Sequence, residues 1–243
     1  MASAIAPFTL DRVPPAPRND RRRWLRRLCR PRWAHMLSHN PAPLSNMVGQ
    51  DRGMPVDRLF IEAFLDHHKQ LITGDVFDIK DREYTDRFGQ GVKSCQVLDY
   101  NRGNKDATIY DDIRSLSTVR DASFDCFIVT QVLQYIDDLH ASARAIHRVL
   151  RPGGTALITV PSLGKLDGTE DNVEGSFWRF TADSCRYLFA PHFRDLEIVP
   201  WGNVRLAMAF LTGLSAQDMT THELRHFDAR FTTGVVIRAT KDR

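Results

Sequence analysis

The stretch Asp75-Val76-Phe77-Asp78-Ile79-Lys80-Asp81-Arg82-Glu83-Tyr84 joins a short apolar run to a densely charged one. A lysine at a strand end that faces a helix N-terminus makes a site for a sulfate, phosphate or carboxylate, because an ammonium and free backbone N–H groups both favour an anion. Lys80 has that position, Arg82 can serve the same end, and Tyr84 is a further candidate substrate contact. An ammonium aimed at an anionic group stabilises the charge that develops as the group leaves. A nearby carboxylate such as Asp81 takes the proton that an attacking amine sheds. The chemistry these residue types suggest is displacement or elimination of an anionic group, in which a scaffold that orients the reactants does much of the work.

The elements that must position these residues follow from hydrophobic periodicity. Val56, Leu59, Phe60, Phe64, Leu65 and Ile72 recur at helical spacing, which predicts a helix over Pro55–Leu71. Four apolar runs follow, at Val76–Ile79, Cys95–Leu98, Ala107–Tyr110 and Phe124–Val129. A helix over Gln131–Leu150 comes next, and Pro152-Gly153-Gly154 turns the chain into a fifth run, Thr155–Val160. Buried apolar strands alternating with crossovers predict a parallel α/β sheet. The last third predicts a helix over Thr181–Leu188 with Thr181 as its cap, a strand at Leu196–Val199, an apolar helix over Val204–Leu214 and a final strand over Gly234–Thr240. Thr220 with Glu223 three residues on predicts a capping box.

Composition sets outer limits. The 243 residues are 42% hydrophobic and 26% charged, as expected of one or two globular domains. The net charge of +3 hides a split: residues 1–33 hold nine arginines against two aspartates, while the rest holds 24 basic and 28 acidic residues. A basic arm, rich in Pro and Ala at its start and partly disordered, precedes a mildly acidic globule, with 34–54 as a loop and the domain from 55 to 243. The arm suits an acidic partner. It could also attract RNA, with Trp24 and Trp33 for stacking, but the chain carries no recognisable RNA-binding module, so nucleic acid ranks low. No apolar run is long enough to span a membrane, and the N-terminus lacks a signal-peptide core. Four dispersed cysteines without a CxxC pair give no zinc or redox motif, and a reducing, cytoplasmic compartment is expected. His67 and His68 are adjacent on the predicted helix and should point apart, so no metal is expected.

The order of elements resembles the class I S-adenosylmethionine-dependent methyltransferases. The residues that carry the likeness are Asp75–Ile79, Asp99, Asp111-Asp112, Phe124–Ile128 and, most specifically, Leu150-Arg151-Pro152-Gly153-Gly154. Trp178-Arg179-Phe180-Thr181 and Gly49-Gln50-Asp51-Arg52-Gly53 are similar to a type 11-like branch of small methyltransferases of natural-product and glycan pathways. The resemblance implies a single Rossmann-like α/β fold whose seven-stranded, mostly parallel sheet has an antiparallel last strand, with ligands at the carboxyl ends of the first strands. It implies that Asp78, the residue at position 80, Asp99, Asp112 and Gln131 would line the S-adenosylmethionine site, with Asp99 on the ribose and Asp112 at the adenine. It also implies that the 34–54 loop folds over the substrate side. That makes Asp51 a second candidate proton acceptor and Arg52 a substrate contact, alongside Gln131, Gln134, Tyr135, Trp178 and Arg179. Each of these also has a plainer role: solvated charge, exposed helix turns, or an indole capping the sheet.

The sequence departs from the resembling pattern at Lys80, which stands where a glycine is expected, and no glycine follows until Gly89. Glycine serves there because the backbone must approach the ligand closely, often at positive φ. The expectation is therefore a methyltransferase-like enzyme with a degenerate S-adenosylmethionine site that uses no cofactor. Methyltransferase-like proteins that close aziridine rings in azinomycin-type pathways are one group this resembles. That implies a substrate borne on an acidic amino-group carrier protein and a small second subunit. A conventional S-adenosylmethionine-dependent methyltransferase of a small metabolite and a non-catalytic scaffold are the alternatives.

Overall fold

The computed structural model describes residues 41–166 and 175–243. The arm over 1–33, the first part of the loop expected over 34–54, and residues 167–174 lie outside the described residues. In chain order the elements are α1 (Val56–His67), β1 (Gly74–Ile79), α2 (Glu83–Phe88), β2 (Val92–Asp99), β3 (Ile109–Tyr110), β4 (Phe124–Thr130) and α3 (Leu139–Val149). They continue with β5 (Leu150–Pro161), α4 (Ala182–Phe189), β6 (Asp195–Trp201), α5 (Val204–Thr212), α6 (Thr221–Arg225) and β7 (Gly234–Thr240).

The seven strands form one sheet in the order β3-β2-β1-β4-β5-β7-β6, with an antiparallel last strand, as expected of a Rossmann-like methyltransferase fold. The pairs β1–β2, β1–β4, β2–β3 and β4–β5 are parallel. Strands covered on both faces need apolar residues throughout, which is why Val76-Phe77 and Cys126–Val129 are fully buried. Phe77 stacks on Phe124 at 4.4 Å and on Phe127 at 4.6 Å, and this aromatic group anchors the core under the central strands.

Two compact units divide the chain: Met1–Ala63 with Leu163–Lys165 and Pro200–Gly234, and Phe64–Ser162 with Leu166–Val199 and Val235–Arg243. In the first, Phe60 stacks on Trp201 at 4.2 Å, Asn203 caps α5, and Gly213 ends it at φ 72°. The capping box expected at Thr220 and Glu223 is present. The second holds most of the sheet.

Three expectations change. The helix predicted over Gln131–Leu150 is broken: a 3-10 turn at Leu133–Tyr135 comes first, and Asp138 then accepts from the Ala141 N–H at 2.9 Å to start α3 afresh. A side-chain cap at that point outcompetes continuous helix. The glycine pair after α3 lies within β5. Leu150 already pairs with Phe124, and the register shifts before Cys126 meets Thr155, so Pro152-Gly153-Gly154 forms an irregularity in the strand. His67 and His68 do meet, edge to face at 4.7 Å, because α1 ends at His67 and His68 leaves the helix.

Candidate functional site

β1 delivers Asp78 and Lys80 to its carboxyl end. Asp78 is 2% exposed; its carboxylate accepts from the Ile79 N–H at 2.9 Å and the Thr85 hydroxyl at 2.7 Å. Burial outweighs these bonds and pushes its pKa up to about 7. Lys80 is exposed and sits at φ 73°, in the left-handed region that favours glycine. Its backbone thus keeps the conformation a glycine would take, although it carries a long cationic side chain. Its N–H donates to Leu98 O at 2.9 Å. Asp81 accepts from the Glu83 N–H at 2.9 Å, so α2 begins at once and no wide loop intervenes.

β2 ends at Asp99. One oxygen accepts from the Asn101 N–H at 2.8 Å and the other from the Asn104 amide at 2.7 Å; the same amide donates to Lys80 O at 2.6 Å. Asn104 therefore fastens the Lys80 turn to the end of β2, and the sequence reading did not single it out. The only signal for it was an Asn-Arg-Gly-Asn run of turn-forming residues at 101–104. Asp112 is engaged by Arg114, which donates from its backbone N–H at 2.8 Å and its Nε at 2.9 Å and also reaches Asp137 at 2.8 Å. The guanidinium holds the Asp112 carboxyl below the usual carboxylate range.

Gln131 directly follows β4 and is also left-handed, at φ 52°. The parallel register Phe77↔Phe127 makes the ends of β1 and β4 neighbours, so two of the five non-glycine residues with positive φ among the described residues follow adjacent strands. Such strain gathers at functional sites. Gln134 is 4% exposed and donates through Nε2 to Gln131 O at 2.9 Å. Tyr135 is 37% exposed. The Trp178 indole donates to Ile136 O at 2.7 Å, and Arg179 donates to Trp178 O at 2.7 Å. Trp178, whose backbone N–H also donates to Gln134 O at 3.2 Å, straps the 3-10 turn. Arg82 pairs with Asp86 one turn along α2, and Tyr84 stacks on Phe88 at 6.3 Å.

Asp51 and Arg52 belong to the other unit. Ser45 donates to Asp51, and Arg52 makes a two-pronged pair with the buried Asp218, at 3.1 and 3.2 Å. Asp218 also accepts from the Ser215 hydroxyl and N–H at 3.0 Å, so Arg52 helps to hold this turn together.

Against the S-adenosylmethionine site that the resemblance implies, these residues match at one end only. Asp99 keeps acceptor capacity for a ribose diol. At the methionine end a lysine side chain replaces the hydrogen of a glycine. At the adenine end Asp112 is already paired with a guanidinium. Depressions of about 690 and 550 Å³ lie at the opposite, amino ends of the strands, the first lined in part by Thr155, Asp195 and Arg238, the second by Asp75, Ser94 and Arg151.

A methyltransferase-domain family model matches residues 90–158. No curated protein matches the sequence. Among solved structures, a putative methyltransferase of Haloferax volcanii, bound to the Trm112 activator, is 17% identical with a TM-score of 0.54, over 80% of this chain and 95% of that one. A SAM-dependent methyltransferase from Archaeoglobus fulgidus is 13% identical with a TM-score of 0.50, over 75% and 93% of the two chains. The [4+2]-cyclase SpnF is 16% identical with a TM-score of 0.50, over 95% and 98%. The fold is that of the class I S-adenosylmethionine-dependent methyltransferases.

Proposed function

We propose that the chain is a methyltransferase-fold enzyme that displaces an anionic leaving group with a substrate amine and does not use S-adenosylmethionine. The observation that carries this is Lys80, a cation on a left-handed strand end where the fold calls for glycine. In the reaction the amine nitrogen bonds to the carbon that bears a sulfate or phosphate ester. The C–O bond breaks and its electron pair leaves with the ester oxygen, giving free sulfate or phosphate. The proton shed by nitrogen passes to a carboxylate of the same unit, Asp81. Lys80 stays protonated and offsets the charge growing on the leaving oxygen. When amine and ester share one carbon skeleton the product is an aziridine, and holding the two in line supplies most of the rate. The basic arm, with its nine arginines, suits a substrate delivered on an acidic carrier protein, and a small partner subunit fits the same scheme.

One observation favours a second reading. Asp99, oriented by Asn101 and Asn104, is what a ribose would need, and supports a conventional methyltransferase of a small metabolite. Calorimetric titration with S-adenosylmethionine and S-adenosylhomocysteine separates the two. The proposal expects no binding by the natural chain and some recovered in Lys80→Gly. Micromolar binding by the natural chain sinks it. Loss of turnover in a folded Lys80→Ala variant separates an enzyme from a scaffold.

A further inference from the structure

Two buried polar atoms near the carboxyl ends of neighbouring strands have no hydrogen-bond partner among the described residues: Gln134 Oε1 and Ser162 Oγ. Gln134 lies in the 3-10 turn after β4, and Ser162 directly follows β5. The two strands are paired up to Thr130↔Thr159, and the Gln131 N–H donates to Thr159 O at 2.9 Å. The segment 177–180 ties the two exits together: the Phe177 N–H donates to Gln134 O at 2.8 Å and the Phe180 N–H to Pro161 O at 2.9 Å. Gln134 and Ser162 therefore follow neighbouring strands, and β4 in turn pairs with β1, whose exit carries Lys80.

The orientation of the amide is settled by its neighbour. Gln134 Nε2 faces Gln131 O at 2.9 Å, and a carbonyl only accepts. Turning the amide over would set two oxygens against each other, so Oε1 is the orphan, an acceptor without a donor. Buried acceptors left bare destabilise a fold, and a site that keeps one has a use for it.

We propose that Gln134 Oε1 and Ser162 Oγ form a subsite for the N–H groups of the substrate amine. This rests on the displacement reading of Lys80 and adds to it where the nucleophile sits. One N–H donates to the Gln134 carbonyl and a second to the Ser162 hydroxyl, which leaves the nitrogen lone pair free to attack. A neutral amide suits this task better than a carboxylate, which would stabilise the ammonium form and withhold the lone pair.

The probes are 2-aminoethyl hydrogen sulfate, which carries amine and ester, and ethyl sulfate, which carries the ester alone. Binding of each to the full chain is measured by calorimetry, for the natural protein and for Gln134→Leu, Ser162→Ala and Lys80→Ala. The natural protein should prefer the aminated ester by about tenfold, the scale of one or two buried hydrogen bonds. Gln134→Leu should reduce that preference to within about twofold, and Ser162→Ala should reduce it in part. Lys80→Ala should weaken both esters and leave the preference intact. Gln134→Met, closer in shape, replaces Gln134→Leu if the latter fails to fold. A natural protein without the preference, or a Gln134 variant that keeps it, overturns the subsite and leaves Lys80 untouched. A preference lost in Gln134→Leu, with neither ester weakened by Lys80→Ala, overturns the reading of Lys80 and leaves the subsite. If neither ester binds the natural protein, both fall.

Discussion

Under the proposed displacement, Lys80 sets stability against chemistry at a single position. A non-glycine residue in the left-handed region costs on the order of 1 kcal/mol, because its Cβ crowds the following carbonyl. Lys80→Gly relieves that strain but adds unfolded-chain entropy of similar size, so it should change stability by less than about 1 kcal/mol in urea denaturation while weakening sulfate binding. A variant that loses more than this would show that the lysine side chain contributes contacts which outweigh the strain. Asp78, two residues earlier, makes a separate prediction. Its folded pKa of about 7 lies above the ordinary value of 3.8, so the folded state holds its proton more tightly than the unfolded chain does. The stability this lends is fully present below about pH 4 and is lost as pH rises through 7, at up to about 1.4 kcal/mol per pH unit. Asp78→Asn carries no titrating group, so its stability relative to the natural protein should improve steadily across that window. A difference that does not change with pH would mean that Asp78 is not protonated in the fold. His68 runs the other way. Burial lowers its pKa from 6.5 to about 4, so its contribution is present above pH 6.5 and lost as pH falls toward 4. Both sequences keep that histidine, so it cancels from the comparison.

At the scale of elements, period and punctuation made most of the sheet legible. β7 falls at its expected bounds, and β1, β2, β4, β5, α4 and β6 differ by a few residues at their ends. The break after β4 was hidden because Gln131–Val149 has helical spacing throughout, while the interruption depends on a left-handed residue and a local Asp138 cap. Asp138→Ala should accordingly cost about 1 kcal/mol, read as a lower urea midpoint at unchanged slope. No loss would mean that α3 draws its start from packing alone. The candidate site was legible in part, since its residues follow from strand ends in a known topology. Asn104, and the orphan oxygen of Gln134, depend on loop hydrogen bonds that no periodicity encodes. The most specific sequence signal turned out to serve the scaffold. Arg151, from the Arg-Pro-Gly-Gly stretch, bridges Asp75 at 2.8 Å and Asp125 at 2.6 Å at the amino ends of β1 and β4, away from the crevice.

At the scale of the whole molecule, charge is distributed unevenly along the chain. Nine of the arginines stand in the first 33 residues, whereas the remainder carries four more acidic than basic groups. A net charge of +3 would steer very little, but a cluster of like charges acts locally and over about one Debye length, roughly 10 Å at 0.1 M salt. An acidic carrier protein would meet that cluster first. Its binding to the full chain should then weaken steeply as salt rises, because exposed charge pairs are screened. Removing residues 1–33 should lower the affinity at low salt and flatten the salt dependence. Reversing Arg21, Arg22 and Arg23 to Glu in the full chain should do the same, which separates charge from bulk. The loss should lie mainly in the association rate, since steering acts before contact is made. Surface plasmon resonance across a salt series reads both quantities together. Equal affinities for the full and shortened chains at every salt concentration would remove the arm from recognition. The partner would then have to be read by the globule, whose own balance is acidic and would repel it.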